Sequence, residues 1–352
     1  MTPDALDFLR RLLETPSPSG YEQQIQQVVR DYVSPFADKT TTDVHGNLIV
    51  SRNTDAPLRV MLAGHCDQIG FVVQYLDDQG FIYLQPIGGW DPIVLVGQRL
   101  TVWAGGGPIS GVIARKPIHL LSDEERKQTP KLKDLWLDVG CRSKEEVSGL
   151  VRVGDPVTLE LGFREMRNNL ASAAGMDNKT GLWVAIEALR RTAPQKLNCA
   201  FFAVSTVQEE IGLRGAITST YGVNPHVGIA IDVTHATDCP TIDKKSEGDL
   251  ALGRGPVVFR GPNMNPRVVE RLLETAASRE VPVQMAASGR ATPNDANTIQ
   301  VSRGGVATGL VSIPNRYMHS PVEMISLDDI DRAADLLAAF ALSLQGDESF
   351  IP

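Results

Sequence analysis

Cysteine is scarce in this sequence, and its four copies (Cys66, Cys141, Cys199, Cys239) are scattered without a CxxC pair. A disulfide framework is therefore not expected in a chain of 352 residues. Basic charge is in deficit. The net charge of −8 argues against a nucleic-acid binder, which needs a cationic face. No run of 18 apolar residues occurs, so no membrane-spanning helix is expected. The opening Met1-Thr2-Pro3-Asp4 lacks a basic start and an apolar signal core, which gives the expectation of a cytoplasmic protein. Internal repeats and low-complexity tracts are missing too.

What remains is ordinary globular composition, 42% hydrophobic and 22% charged. The length predicts one large domain with a smaller one. Leu6, Leu9, Leu12 and Leu13 fall at helical spacing, and a second helix is expected within Gly20–Val33. Leu48–Val50 and the near-continuous apolar run Leu58–Ala63 read as strands, the second covered on both faces.

The character changes after Asp67. Phe71–Leu76, Phe81–Gln85, Arg99–Trp103, Ile109–Ala114 and Val157–Leu161 are short strand candidates separated by Asp, Gly and Pro turns. They predict a small β-barrel or sandwich inserted over residues 69–163. The charged stretch Ser122–Lys133 reads as an exposed loop. Strand and helix alternate again from Arg164. A helix is expected over Asn178–Thr192 and another over Pro266–Glu280, with buried strands at Cys199–Thr206, Val227–Ile231 and Gly305–Ser312. Ser326 with Asp329 has the form of a capping box for the last helix. The fold class is α/β: a mainly parallel sheet with helices on both faces, formed by residues 1–68 and 164–352, plus the inserted barrel.

Five short clusters carry chemistry: His65-Cys66-Asp67, Met176-Asp177-Asn178, Gln208-Glu209-Glu210, Ile231-Asp232-Val233 and Tyr317-Met318-His319. Each lies at or near the end of an apolar run. In an open parallel sheet, ligands gather beyond the C-terminal strand ends, so topology alone brings these groups to one edge. Two metal ions about 3.5–4 Å apart need a bridging carboxylate and terminal His or carboxylate ligands. Asp177, at a Gly-flanked turn, is the best bridge. His65 and Asp232 would serve one ion, Glu210 and His319 the other. Glu209 is left over as a general base. Asp67 would accept the second imidazole N–H of His65 and fix its tautomer. Cys66 alternates to the other side of its strand and takes no metal role.

Each residue has a plainer reading alone. Asp177 could be a helix N-terminal carboxylate, Glu209-Glu210 a solvated pair, and His319 a surface histidine. Asp232 is harder to explain so, because a carboxylate beside a core strand needs a partner. The metal reading rests on five strand-end or turn positions agreeing. His45 reads as an exposed turn residue. His119 and His226 take no role, and His235 and Asp238 stand near the site.

These motifs resemble those of the dinuclear-metal aminopeptidases of the glutamyl aminopeptidase and tetrahedral aminopeptidase family, once labelled cellulase-like. The resemblance runs from Ala63–Phe71 through Gly175–Gly181, Gln208–Ala216 and Asp232–Ala236 to Ile313–Pro321. It implies a peptidase α/β domain with an inserted PDZ-like barrel. It implies metal ligands His65, Asp177, Glu210, Asp232 and His319, with Glu209 catalytic. It also implies two divalent ions, zinc first and cobalt or manganese as alternatives. Short peptides would be the substrates, and the assembly a homo-oligomer from dimer up to tetrahedral dodecamer. Two segments, Ser288–Asn297 and Arg260–Asn263, depart from the family pattern, so the preferred N-terminal residue is not carried over.

The expected function is therefore metal-dependent removal of N-terminal residues from peptides. Three rivals differ in what they require. A small-amide deacylase would use the same metal site. A metal-free glycoside hydrolase would need two carboxylates about a sugar and would leave both histidines idle. A non-catalytic assembly protein would have no use for a free Glu209.

Overall fold

The computed structural model describes residues 1–352. The first helix, Pro3–Glu14, begins where Thr2 Oγ1 accepts the Ala5 N–H and Pro3 presets the first helical turn. Its apolar stripe buries Phe8, Leu9, Leu12 and Leu13. Phe8 stacks on Tyr32 of the next helix, Gln23–Val33, with ring centroids 3.8 Å apart.

Strands β1 (Lys39–Thr42), β2 (Leu48–Arg52) and β3 (Arg59–His65) follow. The chain then leaves the sheet and builds β4 (Gly70–Leu76), β5 (Ile82–Ile87), β6 (Arg99–Ala104), β7 (Gly107–Ala114), β8 (Trp136–Asp138) and β9 (Pro156–Leu159). These six close into a barrel in the order β4-β5-β8-β7-β6-β9, antiparallel at every seam. Phe71, Val73, Leu100, Val102, Leu137 and Val157 belong to a core of its own. Strand β8, between β5 and β7, is three residues long, too short to stand out as a pattern. Ser122–Lys133 is not only loop. Asp123–Lys127 is helical because Ser122 and Glu125 form a reciprocal capping box that satisfies its first N–H groups.

The chain returns through β10 (Arg164–Glu165) and β11 (Leu170–Ala173) to the long helix Met176–Thr192. Next come β12 (Ala200–Thr206), helix Arg214–Val223, β13 (Val227–His235), β14 (Val257–Arg260), helix Pro266–Ser278 and β15 (Gln284–Ala287). Helix Asp295–Gln300, β16 (Ala307–Asn315), β17 (Glu323–Ser326) and helix Leu327–Ser343 follow. The large sheet has the order β1-β2-β12-β3-β13-β16-β14-β15, and its four inner strands β12, β3, β13 and β16 are parallel. Helices Met176–Thr192, Pro266–Ser278 and Leu327–Ser343 pack on one face, and Asp295–Gln300 with Arg214–Val223 on the other.

One contact sets the depth of the site. A Cβ on Gly64 would lie 2.5 Å from the backbone of Gly181, and one on Gly181 only 2.7 Å from the Ile231 carbonyl. Side chains at these two positions would push the long helix off the sheet. Their absence brings the helix start, with Asp177, down onto the ends of β3 and β13.

The sequence-based capping box at the last helix is not formed. Ser326 makes no side-chain cap, and Asp329 instead accepts the N–H groups of Gly253 and Gly255, each at 2.7 Å. The Gly255 N–H would otherwise go unpaired at a buried position. Strand β16 runs to Asn315, past the expected end at Ser312, because its pairing with β13 continues to His235.

Candidate active site

The parallel strands end along one edge of the sheet, and the ligand-type residues collect there. His65 is the last residue of β3, and Asp232 lies on the C-terminal part of β13. Glu209 and Glu210 follow β12. His319 follows β16 on a loop where Tyr317 and His319 both hold positive φ, +64° and +59°. Asp177 opens the long helix in an extended conformation, φ −77° and ψ 107°.

The loop carrying Glu209 and Glu210 is held residue by residue. The N–H groups of Val207, Gln208, Glu209 and Glu210 donate to Asn47 Oδ1, Glu22 Oε1, Asp67 Oδ1 and Asp67 Oδ2 at 3.0, 3.1, 3.0 and 3.1 Å. Four consecutive main-chain donors are thus fixed by side chains from three other segments. Ser19 Oγ adds 2.6 Å to Asp67 Oδ2. The nearest acceptor for His65 Nδ1 is the main-chain carbonyl of Asp67 at 3.1 Å, with the Asp67 carboxylate at 3.4 Å. Either contact keeps the proton on Nδ1 and turns the Nε2 lone pair to the cluster.

Around the two Nε2 atoms the distances are regular. His65 Nε2 is 3.3 Å from Asp177 Oδ1 and 3.7 Å from Asp232 Oδ1. His319 Nε2 is 3.2 Å from Asp177 Oδ2 and 3.6 Å from Glu210 Oε2. A tetrahedral ion with arms of 2.0–2.2 Å has ligand-to-ligand edges of about 3.3–3.6 Å. The two oxygens of Asp177 face different histidines, as a bridge requires. Grouped by proximity alone, His65 falls both with Asp177 and Glu210 and with Glu209 and Asp232. One imidazole nitrogen has one lone pair, so those two triads cannot each hold an ion. Giving each histidine its own ion removes the conflict.

The donor set fits cations on electrostatic grounds as well. Asp67, Asp177, Glu209, Asp232, Asp295 and Glu323 are buried, and none is paired with Lys or Arg. Glu210 Oε1 and Asp295 Oδ1 are buried without any hydrogen-bond partner. Buried carboxylates without a counter-charge are costly unless a cation joins them. In the metal-free chain, protons take that role. Burial, with Asp232, Asp295 and Glu210 nearby, pushes Glu209 up to about 10. Burial and neighbouring acids raise Glu323 to about 8 and Asp295 to about 7. Burial opposes protonation of His65, but Glu209, Asp177 and Asp232 outweigh it and hold it well above the usual range. Burial also opposes ionisation of Asp177, yet its bonds to His319 and His65 keep it low.

The folded metal-free chain therefore holds protons that the unfolded chain releases. Acids raised above their unfolded values destabilise the fold as pH rises from the unfolded pKa, about 4, toward the folded one, and raised histidines act in the same direction above about 6.5. The lowered Asp67 and Asp177 act oppositely, but only below about pH 4. Between pH 6 and 8, in chelator, stability is expected to fall by about 1.4 kcal/mol per pH unit for each extra proton held. Thermal melting across that window checks this, and a melting temperature that rises with pH would contradict it.

Some of this machinery has no obvious mark in the sequence. Glu323, four residues after His319, accepts the N–H of Asp177 at 3.0 Å and of His319 at 2.8 Å, so one carboxylate sets two candidate ligands. Asp295 is fixed by Thr206 Oγ1 at 2.7 Å. Lys179 is fully buried, donating to Thr15 O and Gln68 Oε1 at 2.8 and 2.6 Å. His45 is half-buried rather than exposed, because Nε2 meets Gln208 Oε1 at 3.2 Å and Nδ1 meets Thr218 Oγ1 at 3.3 Å. His235 is exposed at the end of β13, and Asp238 is engaged by Arg316 in a two-pronged ion pair at 2.7 and 2.8 Å. No helix is long and apolar enough to cross a membrane.

Known proteins are similar to this chain in sequence and fold. The profile of the M42 glutamyl aminopeptidase family matches residues 46–336. A lysyl aminopeptidase of Pyrococcus furiosus is 35% identical over 96% of this chain and 97% of its own. The TET aminopeptidase of a marine sediment archaeon of the Thaumarchaeota superimposes with a TM-score of 0.92 at 31% identity, covering 97% of this chain and 96% of that one. The TET1 peptidase of Pyrococcus horikoshii, described as assembling into a tetrahedron or a large octahedral shell, gives 0.85 at 29% identity over 97% and 100%. The chain belongs to the M42 glutamyl aminopeptidase family and is a metal-dependent aminopeptidase.

Proposed function

We propose that this enzyme removes N-terminal residues from short peptides with two divalent ions, zinc in the native protein. His65 and Asp232 would hold one, His319 and Glu210 the other, and Asp177 would give one oxygen to each. The observation that carries the reading is the split of the Asp177 carboxylate, Oδ1 at 3.3 Å from His65 and Oδ2 at 3.2 Å from His319. When bound, the ions supply Lewis acidity that polarises the peptide carbonyl and acidifies water.

Glu209 then has a defined task. Its Oε2 lies 3.7 Å from His65 Nε2, the same distance as Asp232 Oδ1, and the assignment above leaves it beside the ions as a free carboxylate. It takes the proton from water as oxygen adds to the carbonyl carbon. It passes that proton to the amine nitrogen as the C–N bond breaks, and ends as the carboxylate it began as. Its ionised form is favoured by the cations' field, since burial and the neighbouring acids keep it protonated without them. Asp67 is a positioning residue: through the N–H groups of Glu209 and Glu210 it holds base and ligand at fixed separation.

We further propose that residues 69–163 are an inserted unit through which copies assemble. The described assembly of the TET1 peptidase supports this. So do the exposed apolar side chains Ile93, Val112, Ile118 and Leu120 on this part of the surface.

The test is hydrolysis of a panel of aminoacyl p-nitroanilides by chelator-stripped protein, with zinc, cobalt or manganese returned singly. Cleavage that vanishes on stripping and returns best with zinc is expected, and the panel would reveal the preferred residue. Cleavage that survives stripping would overturn the two-ion reading.

A further inference from the structure

We infer that the barrel loop Gly88-Gly89-Trp90 is part of one metal position and not of the other; the inference rests on the two-ion reading above. The loop reaches across from the end of β5. The Gly89 carbonyl accepts the Nδ1 proton of His319 at 3.0 Å. A Cβ on Gly88 would come within 3.4 Å of Glu210 Oε2. His319 and Glu210 are the two terminal ligands assigned to the same ion. The loop therefore meets both side chains of one position.

The other position is finished by the α/β part alone. His65 Nδ1 is served by Asp67, through its carbonyl at 3.1 Å and its carboxylate at 3.4 Å. Asp232 Oδ1 accepts its neighbour's N–H, from Val233, at 2.8 Å. The two histidines also differ in cover. The side chain of His65 is 2% exposed and that of His319 is 35% exposed. His319 further sits in the left-handed region, φ +59°, where a non-glycine residue stays only if its surroundings hold it.

The loop has its own anchor. Trp90 Nε1 donates to Gly70 O at 2.9 Å, and its ring stacks on Phe71 at 4.7 Å and 20°. Gly88 is committed as well, with φ +75° and a would-be Cβ only 2.5 Å from Ile69 Cγ2. A side chain there, strained at positive φ and pressed against Ile69, is expected to shift the loop, and with it the acceptor for His319. Removing the partner of a metal-bound imidazole costs about 10–100-fold in metal affinity.

Zinc binding by equilibrium dialysis on the full chain tests this, with thermal melting to confirm folding. Wild type is expected to bind two equivalents. Gly88→Ala should keep one at wild-type affinity and weaken the other by about 10–100-fold. Trp90→Phe keeps the stacking and loses only the indole hydrogen bond. It should weaken the same equivalent by less, and it carries the test if Gly88→Ala does not fold. Gly106→Ala, at a barrel turn where a Cβ meets open space, should change neither. Parallel weakening of both equivalents, or of neither, would overturn the inference while leaving the two-ion reading intact. Fewer than two equivalents in wild type would overturn that reading and this inference with it.

Discussion

Glu209→Gln is expected to lower kcat by about 10²–10⁴-fold, the range contributed by a positioned general base. At the upper end that is about 5.5 kcal/mol of transition-state stabilisation. KM and zinc content should stay near wild type. The reason is the geometry of the loop after β12. Asp67 holds the Glu209 and Glu210 N–H groups, so the substituted side chain stays where the carboxylate was. Glutamine is nearly isosteric and neutral, and burial already favours a neutral group there in the metal-free chain. Metal analysis separates two roles. A base that is lost leaves two zinc equivalents in place, whereas a lost ligand removes one. A variant with full zinc and wild-type kcat would remove Glu209 from the chemistry.

Asp177→Asn is expected to do more. The amide offers one oxygen in place of two, so the link between the two histidines is broken on one side. Catalysis should fall to background, and zinc binding should drop from two equivalents to at most one weak equivalent. The main-chain N–H of Asp177 still meets Glu323, so the helix start is expected to keep its place. Dialysis against zinc, read beside the melting curve in chelator, checks both points. Two tight equivalents in a folded Asp177→Asn protein would remove Asp177 as the bridge.

The parts of the site that could be read from sequence share one property. His65, Glu210 and His319 end or follow strands, and Asp232 lies near the C-terminal end of one, and the apolar runs of these strands mark them as inner and parallel. Strand-end position then substitutes for three-dimensional knowledge. Asp177 was legible through its glycine-flanked turn. Glu323 and Glu22 were not, because their role is to accept main-chain protons, including ones from segments far away in the chain. Such contacts leave no spacing or periodicity behind. The barrel was visible as a change of rhythm, but one of its strands, β8, is three residues long and too short to have one. Asp329 shows the opposite error: a good local cap pattern lost to two loop N–H groups with no other partner. Gly89 was out of reach altogether, since it acts through its backbone carbonyl.

The barrel's first and last strands, β4 and β9, are hydrogen-bonded neighbours, with Phe71 opposite Val157. Topologically the excursion closes on itself before the chain goes on to Asp177. The sheet therefore meets a short tether, and the closure entropy between Asp67 and Asp177 is lower by about 1 kcal/mol than for an open loop of the full length. The far hairpins of the barrel can lengthen or shrink without altering that tether. Growth in this part of the chain is thereby uncoupled from the spacing of the groups on which hydrolysis depends.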